Sequence, residues 1–197
     1  MKKHMLLAHL AASVALLAVP ASAQTAAATP TAAATTAIYA PITVAEVEAA
    51  QTAWCGALVA IATEADTKGL AAAKVLAGQV IDSAYAYNMG PVLFKPTLTV
   101  APQTFRTTRA GALSYFVGGD SAYPADGGFA LKHWRRCQSE NVGIVITGNS
   151  AVSMGNVTMW DDKGNITRVD KTWGYVRGAD GQLRIYLHHS SLPYMPK

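Results

Sequence analysis

From Phe129 onward the chain is a succession of short strand-like runs: FALKHWRR, NVGIVIT, AVSMGNVTMW, ITRVDKTWGYV and LRIYLHHS. Between them lie the turn-forming clusters Gly-Asn-Ser, Asp-Asp-Lys-Gly and Gly-Ala-Asp-Gly. Runs rich in β-branched and aromatic residues, closed by such turns, fold as an antiparallel meander. A meander with an apolar face needs a second layer to cover it.

That layer is legible upstream. Thr43-Val44-Ala45-Glu46 has the spacing of a capping box and precedes Val47, Trp54, Leu58 and Ile61 at helical intervals. The helix should stop near Lys68-Gly69, and LAAAKVLAGQVIDSAYAY should fold back as a second helix, interrupted near Gly78. Asn88-Met89-Gly90-Pro91 breaks that helix, and VLFKPTLTV reads as extended chain that Pro96 confines to an edge or a bulge. Thr107-Thr108 offers an N-cap for RAGALSYFV, which Gly118-Gly119 ends. Helices first and strands afterwards predict one α+β domain over residues 42–194.

Residues 1–23 have a basic start at Lys2-Lys3, an apolar stretch from Leu6 to Val19 and Ala21-Ser22-Ala23, the pattern of a cleaved export signal. Residues 24–41 are Ala/Thr-rich and read as a flexible tether. No Cys follows the apolar stretch to carry a lipid, and no later segment reads as a bilayer span, so the expected product is periplasmic or secreted without a membrane anchor. Removing the two signal lysines takes the formal charge from +4 to +2, too little to imply nucleic acid as a partner; the KHWRR run reads as a solvated strand face. Cys55 and Cys137 are the only cysteines, and export permits a disulfide. The sequence leaves a bond and two separately buried thiols equally open, because it does not fix their separation.

The turns also carry a register. If Asp161–Gly164 and Gly178–Gly181 are four-residue loops, Gly155 lies opposite Asp170 and Asp170 opposite His189; loops of three or five residues reverse the facing. On the four-residue register Ser153, Asp170, Thr172 and His189 share the concave face, while Trp160, Lys171, Trp173, Tyr175, Tyr186 and His188 face outward as an exposed or self-association surface. An inward His189 beside Asp170 is a proton-transfer pair, and both are expected catalytic residues. The plainer reading is a histidine that only hydrogen-bonds its neighbour. Tyr85, Tyr87, Trp134, Ser153 and Thr172 are expected to line a pocket, with Arg106, at a helix start, placed to hold a substrate carboxylate.

The closing DGQLRIYLHHSS resembles the last strand of the calcium/calmodulin-dependent kinase association (hub) domain, which ends Asp-Gly-x-Trp-x-x-x-His-x-His-x-Ser. Asp180-Gly181, His189 and Ser191 match it; Leu183 and Leu187 stand where the family has tryptophan and its first histidine. The resemblance places the chain in the nuclear transport factor 2-like superfamily, with ketosteroid isomerase and the SnoaL-like cyclases. It implies a cone of strongly curved sheet around a long first helix, a pocket at one end and assembly as a dimer or higher oligomer.

The residues themselves exclude several chemistries. No nucleophile elbow, phosphate loop or dinucleotide fingerprint is present, and His188 and His189 diverge from a regular strand, so neither a metal site nor a cofactor is expected. A phosphoribosyl-AMP cyclohydrolase would need a cluster of Cys and His zinc ligands, which two distant cysteines do not supply. Two readings stand: a cofactor-free acid/base isomerase, lyase or cyclase acting on a small apolar molecule, or a non-catalytic ligand-capture or oligomerisation module.

Overall fold

The computed structural model describes residues 41–196. The expected export signal, and all of the tether but its last residue, lie outside the described residues. Helix α1 is Val44–Lys68, with the Thr43 hydroxyl accepting the Glu46 N–H at 3.2 Å and the Glu46 carboxylate accepting the Thr43 N–H at 2.8 Å. Gly69, at φ 84°, ends it and starts α2, Leu70–Ala84, which runs unbroken through Gly78. Gly78 does not interrupt the helix; its missing side chain makes room for the Arg109 guanidinium, which pairs with Asp82 at 2.5 and 2.7 Å. Arg109 opens α3, Arg109–Val117, capped by Thr108 and closed at Gly118.

The strands are β1 (Leu93–Lys95), β2 (Trp134–Thr147), β3 (Ser150–Asp161), β4 (Ile166–Arg177) and β5 (Leu183–Ser191). They form one mixed sheet in the order β1-β5-β4-β3-β2, with β1 parallel to β5 and the rest antiparallel. FALKHWRR and NVGIVIT do not make two strands: Phe129–Leu131 is a 3-10 turn, and the rest merges into the long β2. Bulges bend β2 near Arg136 and near Asn141–Gly143. Opposite the second, Gly155 has no room for a Cβ, which would strike the Glu140 carbonyl. The result is the α+β cone of the nuclear transport factor 2-like fold.

The core lies between α1 and the concave face. Val47, Trp54, Leu58 and Ile61 of α1 meet Val157 and Met159 of β3, Val169, Trp173 and Tyr175 of β4, and Ile185 of β5. By length and composition alone α1 does reach the threshold of a membrane span, contrary to the expectation that nothing after the signal would. Its buried face packs inside the cone and its other face carries Glu48, Thr52 and Thr63 in water, so it is the core helix. Cys55 and Cys137 are bonded, with Cα atoms 5.1 Å apart, fastening α1 to β2.

The register departs from the one expected. Trp160 pairs with Ile166, and the Asp161 N–H closes on the Asn165 carbonyl at 3.1 Å, so the β3–β4 turn holds an odd number of residues. Gly155 lies opposite Lys171, not Asp170, and the whole of β4 is flipped. The β4–β5 turn is also odd, closed by Gly178 N–H on the Gln182 carbonyl at 2.8 Å, but Tyr186 is an extra residue between the pairs Gly174–Leu187 and Tyr175–Ile185. That bulge offsets the second odd turn. Asp170 and His189 therefore do share a face, as expected, but it is the outer one. Lys171, Trp173, Tyr175 and His188, expected outside, are inside and buried.

Candidate active site

Beneath α1 the concave face encloses a small chamber. Its polar wall consists of Thr97 just past β1, Tyr115 of α3, Lys171 of β4, and His188 and Ser190 of β5; Trp54, Phe116, Met159 and Val169 close the rest. Its volume is ≈ 10 Å³. That is near the ~10–15 Å³ needed by one water and far below the ~300–1,000 Å³ of sites for drug-sized ligands. A roomier cleft of ≈ 470 Å³ opens between α1, the end of α2 and the β4–β5 turn. Its walls are mainly Ala53, Ala57, Val80 and Leu183, and its charged groups, Glu46 and Arg177, are spent on each other at 2.9 and 3.0 Å. The convergent polar groups belong to the small chamber.

β5 sets two of them by simple alternation: past the Tyr186 bulge, His188 and Ser190 point inward and His189 points out. The His188 ring is stacked on Phe94, centroids 4.2 Å apart, and lies 4.6 Å from Trp173. Its Nδ1 is 2.8 Å from the Tyr85 hydroxyl, whose oxygen also accepts the Trp54 indole N–H at 2.9 Å. Its Nε2 is in hydrogen-bond contact with the Lys171 amine. Lys171 is 5% exposed and packs against the rings of Trp54 and Trp173, at 4.7 and 4.6 Å. Ser190 and Thr97 share a hydrogen bond of 2.5 Å between their hydroxyls.

Burial governs the charges here. It holds Lys171 well below the usual lysine range, and it holds His188 well below the usual histidine range, helped by the adjacent Lys171 and His189. Burial pushes the Tyr85 and Tyr115 hydroxyls up, so both remain protonated. The chamber thus has a basic corner, Lys171 and His188, where burial disfavours the charged forms, three hydroxyl groups and no carboxylate in its wall. Among the described residues no three His, Cys, Asp or Glu side chains gather as metal ligands.

Of the residues singled out in the sequence, Tyr85 stands behind His188 as its partner, and Ser153 is buried on the concave face but spends its hydroxyl on Gln51 Nε2 at 3.0 Å. Tyr87 donates to the Arg106 carbonyl at 2.8 Å and stacks on Tyr85. Arg106 holds no open anion site. It is buried against Asp126 through bonds of 2.5 and 3.0 Å, donates to the carbonyls of Gln103 and Phe105, and faces the Tyr123 ring. Trp134 is core, its indole N–H on the Phe129 carbonyl at 2.8 Å. Thr172 pairs with His189 across the outer face, and Asp170 there accepts the Asn156 amide at 2.9 Å. The reversed β3–β4 turn is the reason Asp170, Thr172 and His189 miss the chamber.

Thr97, Tyr115, Lys171, His188 and Ser190 were not anticipated. One signal pointed to the β4 side: Val169, Lys171, Trp173 and Tyr175 alternate on one face, and a strand face with that much aromatic area is a core face.

A family model for metal-independent carbonic anhydrase matches residues 45–192. A metal-independent carbonic anhydrase from Nostoc sp. strain PCC 7120 is 61% identical over 153 residues, covering 78% of this chain and 75% of the relative. The solved iota-carbonic anhydrase of a cyanobacterium, in complex with bicarbonate, is 60% identical with a TM-score of 0.78, covering 79% of this chain and 95% of that one. A calcium/calmodulin-dependent protein kinase II association-domain protein from Xanthomonas campestris is 21% identical with a TM-score of 0.47, covering 81% and 97%. These matches overturn the expected isomerase-like activity, the non-catalytic module and the association-domain assignment: the family and its 61%-identical relative are enzymes of another reaction.

Proposed function

The chain belongs to the metal-independent carbonic anhydrase family, and from that premise we propose that it interconverts carbon dioxide and bicarbonate in the chamber beneath α1. The observation that carries this reading is the chamber's lining: three hydroxyl groups and two buried basic side chains against an aromatic wall, with no carboxylate among them.

The chemistry asks for little more. A water oxygen bonds to the carbon of CO2, one of its O–H bonds breaks, and the proton passes to a base while bicarbonate forms. In metal-dependent hydration a bound ion makes the hydroxide by lowering the pKa of its water. Here a buried base, uncharged before the reaction, does that work. The paired Ser190 and Thr97 hydroxyls orient the water, and Tyr115 donates to an oxygen of the product. Trp54 and Phe116 give apolar CO2 a wall that does not compete with it for hydrogen bonds.

We also read residues 1–23 as an export signal, so that the reaction runs outside the cytoplasm. We place self-association on the outer face, and what supports this is that Val145, Val152, Gly174, Leu187 and Leu93 form one row across all five strands, with Met154 beside it.

The test is CO2 hydration followed by stopped flow with a pH indicator, in buffer stripped of metal by chelation. The protein should be active, Ser190→Ala should lose about 10²-fold or more, and Asp170→Asn and His189→Ala should hydrate as the parent does. An inactive parent protein sinks the proposal.

A further inference from the structure

His188 is the obvious base for such a reaction, yet its ring has nothing left to offer. Nδ1 is taken by the Tyr85 hydroxyl at 2.8 Å and Nε2 by the Lys171 amine. Phe94 and Trp173 pin the ring, so it cannot turn a nitrogen toward the chamber. We infer that Lys171 is the catalytic base of the hydration step, that His188 is its positioning residue, and that the ammonium Lys171 becomes is the counter-ion of bicarbonate. This rests on the carbonic anhydrase reading above.

Lys171 is unlike a structural buried lysine. A lysine held in a core for stability is paired with a carboxylate. Among the described residues the only polar partner of this one is His188, and its remaining neighbours at the head are two indole rings. The titratable groups around it are Tyr85 after α2, Tyr115 of α3, His188 and His189 of β5, and Lys95 of β1; α1 and β3 present Trp54 and Met159, which do not titrate. None is an acid that is ionised near neutral pH. The amine therefore meets no negative charge until product forms. Burial, which holds it well below the lysine range, favours the free amine.

One arrangement of protons serves both charge states of Lys171. With the His188 proton on Nδ1, given to the Tyr85 oxygen, Nε2 accepts an N–H from Lys171 whether that group is amine or ammonium. A proton on Nε2 would instead face the ammonium donor to donor. The Tyr85 oxygen has two lone pairs, and these take His188 Nδ1–H and Trp54 Nε1–H. The lone pair of the amine is then free for the chamber. In the forward step the water O–H breaks, its oxygen bonds to carbon, and its proton bonds to Nζ, giving bicarbonate and ammonium side by side. When bicarbonate leaves, the ammonium is again an unpaired buried cation and gives its proton to solvent or buffer, which resets the amine.

Three full-chain variants test this: Lys171→Met, Lys171→Arg and Ser190→Ala, each first checked for cooperative melting, with Lys171→Gln read in place of any Lys171 variant that fails. Hydration is followed by stopped flow across pH, and bicarbonate binding by ¹³C line broadening. Lys171→Met should lose ~10²–10⁴-fold in kcat/KM, along with the rise of kcat/KM with pH that reports the amine deprotonating, and should bind bicarbonate more weakly. Lys171→Arg should keep bicarbonate binding and hydrate no better than Lys171→Met, since guanidinium is a cation that cannot act as a base. Parental activity in Lys171→Met, or in Lys171→Arg, overturns the inference. If Ser190→Ala is impaired while Lys171→Met is not, only the lysine assignment falls; an inactive parent protein removes the carbonic anhydrase reading with it.

Discussion

Replacing Cys55 and Cys137 together with alanine cuts the covalent tie between α1 and β2. The two half-cystines are 82 residues apart in sequence. If the bond acts by restricting the unfolded chain, a loop of that length removes about 15 cal/mol/K of entropy, or about 4.5 kcal/mol at 25 °C. Domains of this size shift by ~2–4 °C per kcal/mol, so the melting temperature should fall by about 9–18 °C. Urea unfolding of the parent and the double variant measures the loss directly, and the parent with added dithiothreitol should follow the variant. The m-value should rise in the variant, because its unfolded state is free to expand. Under denaturing, non-reducing conditions a thiol reagent should label neither cysteine of the parent. A loss below about 1 kcal/mol, or two labelled cysteines, would refute the argument, because a closed loop of this length has a larger effect on any chain-entropy account.

Lys171 makes a stability prediction separate from activity. Its folded-state pKa is depressed, so between that value and the unfolded lysine value of 10.5 the unfolded chain binds the extra proton, and stability rises with pH across that window. Lys171→Met should therefore gain most relative to the parent near neutral pH, and the gain should shrink as pH approaches 11; urea titrations at three pH values would show it, and a pH-independent difference would contradict it. For the outer face, Met154→Glu puts a charge beside its apolar row and should dissociate any oligomer without changing the fold; light scattering that finds a monomeric parent removes the surface.

The architecture was legible because its signals are local. Thr43 with Glu46, the Lys68-Gly69 stop and the Thr108 cap each act within a turn of backbone, and each is where the sequence places it. The concave residues of β3, Ser153, Val157 and Met159, also follow from alternation. The site was not legible, because alternation fixes only relative facing within a strand, while facing between strands depends on turn length. Asp-Asp-Lys-Gly suggested four residues; Asn165 joins the turn by accepting the Asp161 N–H through its carbonyl and donating to the Asp161 carboxylate, which makes the count odd. Tyr186, bulged out of the ladder, has no separate signature. Lys171 was passed over for a simpler reason: a lysine inside a strand reads as a solvated face unless something shows that its aromatic neighbours at two-residue spacing are core.

Connecting loops are ordinarily where a protein tolerates gain and loss of residues. The hairpin joining β3 to β4 is an exception of a particular kind. Adding or deleting a single residue there leaves every strand its propensity and every ladder its length, but rotates β4 half a turn, so that Asp170 and Thr172 enter the interior and Lys171, Trp173 and Tyr175 are expelled. Drift at this corner can therefore proceed in steps of two, or in a single step only where a bulge takes up the odd residue as Tyr186 does at the next turn; a relative whose hairpin differs by one residue without such a bulge would have to find its proton acceptor somewhere else.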